Sequence, residues 1–133
     1  MNTPTLDHIG IAVRSIDAAN ILYKALGLSV DHVETVETQG VKTAFLSVGD
    51  SDLELLEPLS ADSSIGRFIE KRGEGIHHIC LRVDDLEAHL ARLKAEGFRL
   101  INDSPVPGAH GCRVAFLHPA AGNGVLIELS QKI

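Results

Sequence analysis

The chain has 133 residues, 44% hydrophobic and 23% charged, which suits one globular domain with its own core and argues against disorder. Its formal net charge of -6, from 18 acidic against 12 basic residues, comes without a long run of either sign, so a broad nucleic-acid surface is not expected. No apolar run reaches the roughly 18 residues of a membrane span. The start MNTPTLDH lacks the basic and apolar regions of a secretory signal, and Cys80 and Cys112 lack framework spacing. A cytoplasmic protein with reduced thiols, bound to no membrane, is the expectation.

Residues 7–13, DHIGIAV, alternate as a strand does, with Ile9, Ile11 and Val13 on one side and His8, Gly10 and Ala12 on the other. A helix follows, capped by Ser15 or Asp17, carrying Ile21, Leu22 and Leu26 as its apolar residues and ended by Gly27. Three extended segments come next, at about 28–37, 41–48 and 53–57, with turn chemistry at Gly40 and at residues 49–52. A short helix at about 64–72 forms a link. The same order then recurs. Residues 77–83, HHICLRV, form a strand, and Asp84 or Asp85 opens a helix with Leu86, Leu90 and Leu93 on one face and Gly97 at its end. Strands are expected near 98–102, 112–118 and 124–130, separated by Pro105, Pro107, Gly108, Gly111 and a turn from Pro119 to Gly124.

The chain therefore reads as two copies of one βαβββ unit. Placing His8 over His78 sets an offset of 70, and that frame continues through Ile16 over Leu86 to Gly27 over Gly97. Leu53-Glu54-Leu55 matches Ile127-Glu128-Leu129 at an offset of 74, so the second copy carries about four extra residues. The fold class is α+β. One domain over 5–132 is expected, with a first module at about 5–60, a linking helix at about 63–73 and a second module at about 75–132.

Strand alternation sends the aliphatic residues of each module towards its own helix and leaves His8, Glu54, His78 and Glu128 on the opposite, concave face. A carboxylate in the middle of an aliphatic strand needs a strong partner, because burying it unpaired costs several kcal/mol or forces it neutral. Taken singly, His8 reads more readily as a hydrogen-bonded structural histidine and Glu54 as the partner of a buried basic residue. Their recurrence at equivalent places favours a metal site: two imidazoles and two carboxylates suit a divalent first-row ion such as Co, Ni, Zn or Mn, with positions left for water or substrate.

The stretches HIGIAV at 8–13, LELLEP at 53–58, GEGIHHI at 73–79, GAHG at 108–111, FLHP at 116–119 and GVLIEL at 124–129 resemble the methylmalonyl-CoA epimerases of the vicinal oxygen chelate superfamily. The resemblance runs from about Leu6 to Gln131. It implies two tandem βαβββ modules forming a U-shaped mixed sheet around one metal ion per chain, cobalt favoured, with His8, Glu54, His78 and Glu128 as ligands and His77 as a non-ligand neighbour. It also implies a homodimer and an acyl-CoA substrate, methylmalonyl-CoA, whose C2 proton is removed and returned through an enolate. Glu128 is the first candidate for proton transfer. Some relatives carry a glutamate two residues after the Gly-Val pair of the second hairpin, where this chain has Thr43, a poor general base.

Other polar residues have plainer readings. Ser63, Ser64, Arg67, Lys71 and Arg72 either meet CoA phosphates or form a solvated helix face. His110 and His118 are expected to hydrogen-bond loop backbone, His32 and His89 to lie on the surface, and Cys80 to line the concave face without reacting. Two rival functions share the fold: a glyoxalase I acting on a glutathione hemithioacetal, and a ligand-sequestering protein like the bleomycin-resistance proteins, which can lack the metal set. An iron dioxygenase commonly uses two histidines and one carboxylate, and the fourth candidate ligand argues against it.

Overall fold

Alternation over 7–13 is realised as strand β1 (Thr5–Ala12) in a computed structural model whose described residues are 2–133. Two compact units result: His8–His77, and the N-terminal residues through Asp7 together with His78–Ile133.

The first unit continues with α1 (Ile16–Ala25), β2 (Val30–Val36), β3 (Val41–Val48), β4 (Ser51–Pro58) and α2 (Ser64–Arg72). Its strands lie in the order β2-β3-β4-β1, with β1 parallel to β4 and the other neighbours antiparallel. Ile11, Val13, Ala44, Leu46, Leu53 and Leu55 pack beneath Ile16, Ala19 and Tyr23 of α1. Leu46 and Leu55 are 0% exposed, and full burial of a leucine stabilises by about 1.5–3 kcal/mol. On the other face, Ala12, Val41 and Leu56 are covered by Ile65 and Ile69 of α2. The turn that leads into α2 requires Gly66, where an added Cβ would run into the Ser60 and Ala61 carbonyl oxygens.

The phase of α1 corrects the sequence reading. Ser15 is the N-cap, its hydroxyl accepting from the Ala18 N–H, and Gly27 follows the helix at φ 91°, as expected. Ile21, Leu22 and Leu26, however, are 72%, 59% and 67% exposed. Ile16 is anchored at the first turn, where its N–H donates to Glu57 Oε1 at 2.8 Å, and the three- and four-residue steps from it turn Ala19 and Tyr23 inwards instead.

The second unit carries β5 (Gly75–Arg82, from His78 onward), α3 (Leu86–Ala95), β6 (Val106–Pro107), β7 (Cys112–Leu117) and β8 (Leu126–Lys132), in the strand order β5-β8-β7-β6. β5 and β8 are parallel, as β1 and β4 are. Leu86 and Leu90, with Leu93, pack on Ala115, Leu117 and Leu129, as the leucine spacing predicts. Asp85 caps α3 by accepting from the Ala88 N–H. The expected strand at 98–102 does not form; only Leu100 bridges Leu117, and Asn102 Oδ1 instead accepts from the Phe116 N–H at 2.9 Å. The last strand begins at Leu126 rather than 124, because residues 119–125 are spent on turn hydrogen bonds, with Gly122 and Gly124 donating to the Pro119 carbonyl. The N-terminal residues join this unit through Arg82, whose guanidinium donates to Asp7, and through the Asn2 N–H, which donates to Asp84. The Asp7 hydrogen bond raises the Arg82 guanidinium above its ordinary value, and the Asn2 N–H lowers the Asp84 carboxyl.

The repeat extends to backbone details. The Val13 N–H donates to the Leu56 carbonyl at 2.9 Å and the Val83 N–H to the Ser130 carbonyl at 2.8 Å. No helix among the described residues is long and apolar enough to cross a membrane.

Candidate functional site

In the first unit Gly10 on β1 and Phe45 on β3 are the register partners of Glu54, so His8, Gly10, Thr43, Phe45 and Glu54 share one face. There His8 Nδ1 lies 3.2 Å from Glu54 Oε2, with the two side chains 11% and 15% exposed. Thr43 is buried on the same face, next to Leu56, and His32 stacks on Phe45 with ring centres 4.3 Å apart.

The second unit repeats the arrangement. Cys80 and Phe116 are the register partners of Glu128. His78 Nε2 lies 3.5 Å from Glu128 Oε1, with side chains 10% and 13% exposed. Each half thus brings together one predicted histidine and one predicted glutamate, with a phenylalanine opposite each carboxylate, Phe45 in one and Phe116 in the other. Reasoning from sequence missed that phenylalanine pair. It also missed Glu57 and Gln131, three residues beyond each glutamate, whose Oε1 atoms accept from Ile16 N–H and Leu86 N–H, each at 2.8 Å. The 74-residue offset was the signal that could have found them.

The donor chemistry fits a divalent cation. Two atoms each about 2.0–2.2 Å from one ion, at octahedral or tetrahedral angles, lie roughly 2.8–3.6 Å apart, the range in which both pairs fall. A nearly buried carboxylate beside a nearly buried imidazole is also costly to desolvate, and a bound ion offsets that cost.

The remaining candidates sort clearly. His118 Nδ1 accepts from the Ala120 N–H at 3.0 Å, the backbone role expected of it. His110 sits in a tight turn at φ 56°. His77 packs edge-on against Phe68 at 5.0 Å, and Arg67, Lys71 and Arg72 are exposed on α2, Arg72 lying over Phe68. Cys80 is fully buried and Cys112 half-buried, neither in a disulfide. His32 is exposed as expected, but His89 is only half-exposed, its Nε2 buried against the unit. A groove of about 550 Å³ on the α3 side is lined by Glu87, Leu90, Lys94, Asp103 and Arg113 and shares no residue with the histidine–glutamate pairs.

The model of the Glyoxalase/Bleomycin resistance protein/Dioxygenase superfamily matches residues 7–116. The chain belongs to that superfamily. Its α+β fold class is the one expected, and the resemblance to methylmalonyl-CoA epimerases is borne out by named relatives. An ethylmalonyl-CoA/methylmalonyl-CoA epimerase of Cereibacter sphaeroides is 42% identical over 129 residues, covering 95% of this chain and 96% of that one. The crystal structure of methylmalonyl-CoA epimerase from Mycobacterium tuberculosis superposes with a TM-score of 0.85 at 39% identity, covering 96% of this chain and 87% of that one. A methylmalonyl-CoA epimerase solved in complex with methylmalonyl-CoA and NH4+ gives 0.85 at 40% identity, covering 98% and 96%.

Proposed function

We propose that this chain is a metal-dependent methylmalonyl-CoA epimerase, interconverting the 2R and 2S forms by removing and returning the proton at C2. The observation that carries the reading is the nearly buried histidine–glutamate pair repeated at equivalent places in both units, in a chain whose relatives bear that name. His8, Glu54, His78 and Glu128 together would hold one divalent ion such as cobalt, nickel, zinc or manganese, and the resemblance to methylmalonyl-CoA epimerases favours cobalt. Such an ion supplies Lewis acidity, lowering the cost of the negative charge that grows on the substrate's carbonyl and carboxylate oxygens as C2 loses its proton.

The chain's own groups do the proton work. Glu128 serves one face of C2, removing the proton from one epimer and supplying it when the reaction runs in the other direction, a task open to a carboxylate that is 13% exposed beside His78. Inversion needs delivery to the opposite face. Thr43, where some relatives place a glutamate, cannot act as a base at neutral pH, which leaves Glu54 or a water for that step. Cys80 and Phe116 flank Glu128 in register on the two neighbouring strands. The exposed Arg67, Lys71 and Arg72 of α2 suit the phosphates of CoA. The working unit is a homodimer in the cytoplasm.

The deciding experiment is NMR-detected deuterium exchange at C2 of methylmalonyl-CoA in deuterated water, with metal-loaded against chelator-stripped protein. Rapid exchange in the loaded sample alone is expected. No exchange in either sample would overturn the epimerase reading; turnover of a glutathione hemithioacetal would then identify a glyoxalase, and its absence a sequestering protein.

A further inference from the structure

Inversion at C2 needs two proton carriers, and Glu128 serves only one face. In the first unit, strand register fixes which side chains share the face of His8 and Glu54. Thr43 on β3 is paired with Leu56 of β4 on one side and with Glu34 of β2 on the other, and direct cross-strand partners share a face. His32 shares it too, as the partner of Phe45. The titratable side chains placed on this face by register are therefore His8, Asp52, Glu54, His32 and Glu34. His8 and Glu54 are assigned to the ion. Asp52 is the partner of Ser47 near the β3–β4 turn, where Ser47 also donates to Asp31. His32 and Glu34 remain.

Those two form a fixed pair. Two residues apart on one strand, they point the same way, and His32 Nε2 lies 3.4 Å from Glu34 Oε1. The His32 ring is itself held, stacked on Phe45 with the two planes 8° apart. On the other side of Glu34 along β2 comes Val36, which packs with Val41 and Leu56 under Ile65 and Ile69 of α2. Glu34 is accordingly half-buried, between the α2 cover and the histidine. Neighbouring strands lie about 4.8 Å apart, so Glu34 stands roughly 10 Å across the sheet from the row of β4 that carries Glu54 and Leu56. One glutamate side chain does not span that interval; a glutamate and one water do. Thr43 lies between, 7% exposed, with a hydroxyl that both donates and accepts.

We propose that Glu34 is the second acid/base of the reaction, acting through a water held by the Thr43 hydroxyl, with His32 as the residue that positions its carboxylate. The proposal rests on the epimerase reading. It gives the water left for the second face, a poor base by itself, a carboxylate to take its proton. For the epimer whose C2 proton faces Glu34, the C2–H bond breaks and its proton passes to the water oxygen as a proton of that water passes to Glu34. The bonding pair stays on the enolate. Glu128, protonated at the outset, then forms the new C2–H bond on the opposite face. The reverse direction begins with Glu34 protonated and Glu128 ionised, and exchange with solvent resets both carboxyls between turnovers.

The test follows each epimer separately in deuterated water with metal-loaded full chain. NMR reads deuterium at C2, and a coupled enzyme that accepts one epimer reads inversion. Wild type is expected to exchange and invert both. Glu34→Gln should slow inversion by about 10²–10⁴, leaving one epimer that exchanges with retained configuration and one that does not exchange. Glu128→Gln should show the opposite pattern, a reciprocity that misfolding cannot produce. Thr43→Val keeps the shape without the hydroxyl, and His32→Phe keeps the ring stack without Nε2. Each should slow exchange of the epimer silenced by Glu34→Gln and leave the other at its wild-type rate. If Glu34→Gln does not fold, these two variants decide in its place. Wild-type exchange and inversion in Glu34→Gln, or equal slowing of both epimers, would overturn the assignment to Glu34 while the epimerase reading stands. A wild type inert towards both epimers would overturn the epimerase reading itself.

Discussion

His8 and His78 each stand within 3.5 Å of a carboxylate oxygen on a nearly dry strand face, so the four side chains differ from surface groups in what their removal leaves behind. His8→Ala or His78→Ala is expected to weaken metal binding at least about 100-fold, since even outer partners of metal ligands are worth 10–100-fold. Metal analysis after dialysis reads this directly, and one ion per chain in both variants would remove them from the ligand set. Glu128→Gln separates binding from proton transfer, because the amide keeps one oxygen donor of similar shape but is no base. That variant should retain metal and slow C2 exchange by about 10²–10⁴; exchange at the wild-type rate would eliminate Glu128 as the proton carrier.

At the scale of elements, the same carboxamide or carboxylate device opens both module helices. Glu57 Oε1 accepts from Ile16 N–H and Gln131 Oε1 from Leu86 N–H, each a donor at a helix start that has no partner within its own helix. Glu57→Ala should cost about 1–2 kcal/mol of stability, the typical loss of a helix-capping acceptor, with Glu57→Gln recovering most of it. Urea unfolding measures both, and equal midpoints for wild type and Glu57→Ala would show the acceptor to be dispensable. The helices and most strands were legible because periodicity, Ser15, Asp85, Gly27 and Gly97 all mark the same boundaries. Two things were not. Apolar spacing on α1 marks two faces, Ile16-Ala19-Tyr23 and Ile21-Leu22-Leu26, and only the packed structure says which is core. The 98–102 segment has strand-like residues, but Asn102 offers its side chain to Phe116 N–H and ends the pairing that backbone would have made.

At the scale of the whole molecule, duplication made the candidate site readable: the offsets of 70 and 74 align two histidines and two glutamates far apart in sequence, and the structure brings each histidine beside the glutamate of its own half. What sequence left out, the phenylalanine opposite each glutamate and the capping residue three positions on, depends on strand register, which no single strand encodes. Under the proposed function each unit contributes one pair of ligands, so the ion binds the folded chain and not the unfolded one, and it stabilises the whole molecule by mass action. At free metal 100-fold above its dissociation constant that linkage is worth about 2.7 kcal/mol, or on the order of 10 °C in Tm for a chain of this size. Chelation should lower Tm by that amount in wild type and by no more than about 1–2 °C in His8→Ala and His78→Ala, whose metal binding is at least about 100-fold weaker. Differential scanning calorimetry with and without chelator reads the difference. A wild-type Tm indifferent to chelator would mean that the two pairs are held by protein contacts alone, and a chelator shift that survives in both variants would place the ion elsewhere in the fold.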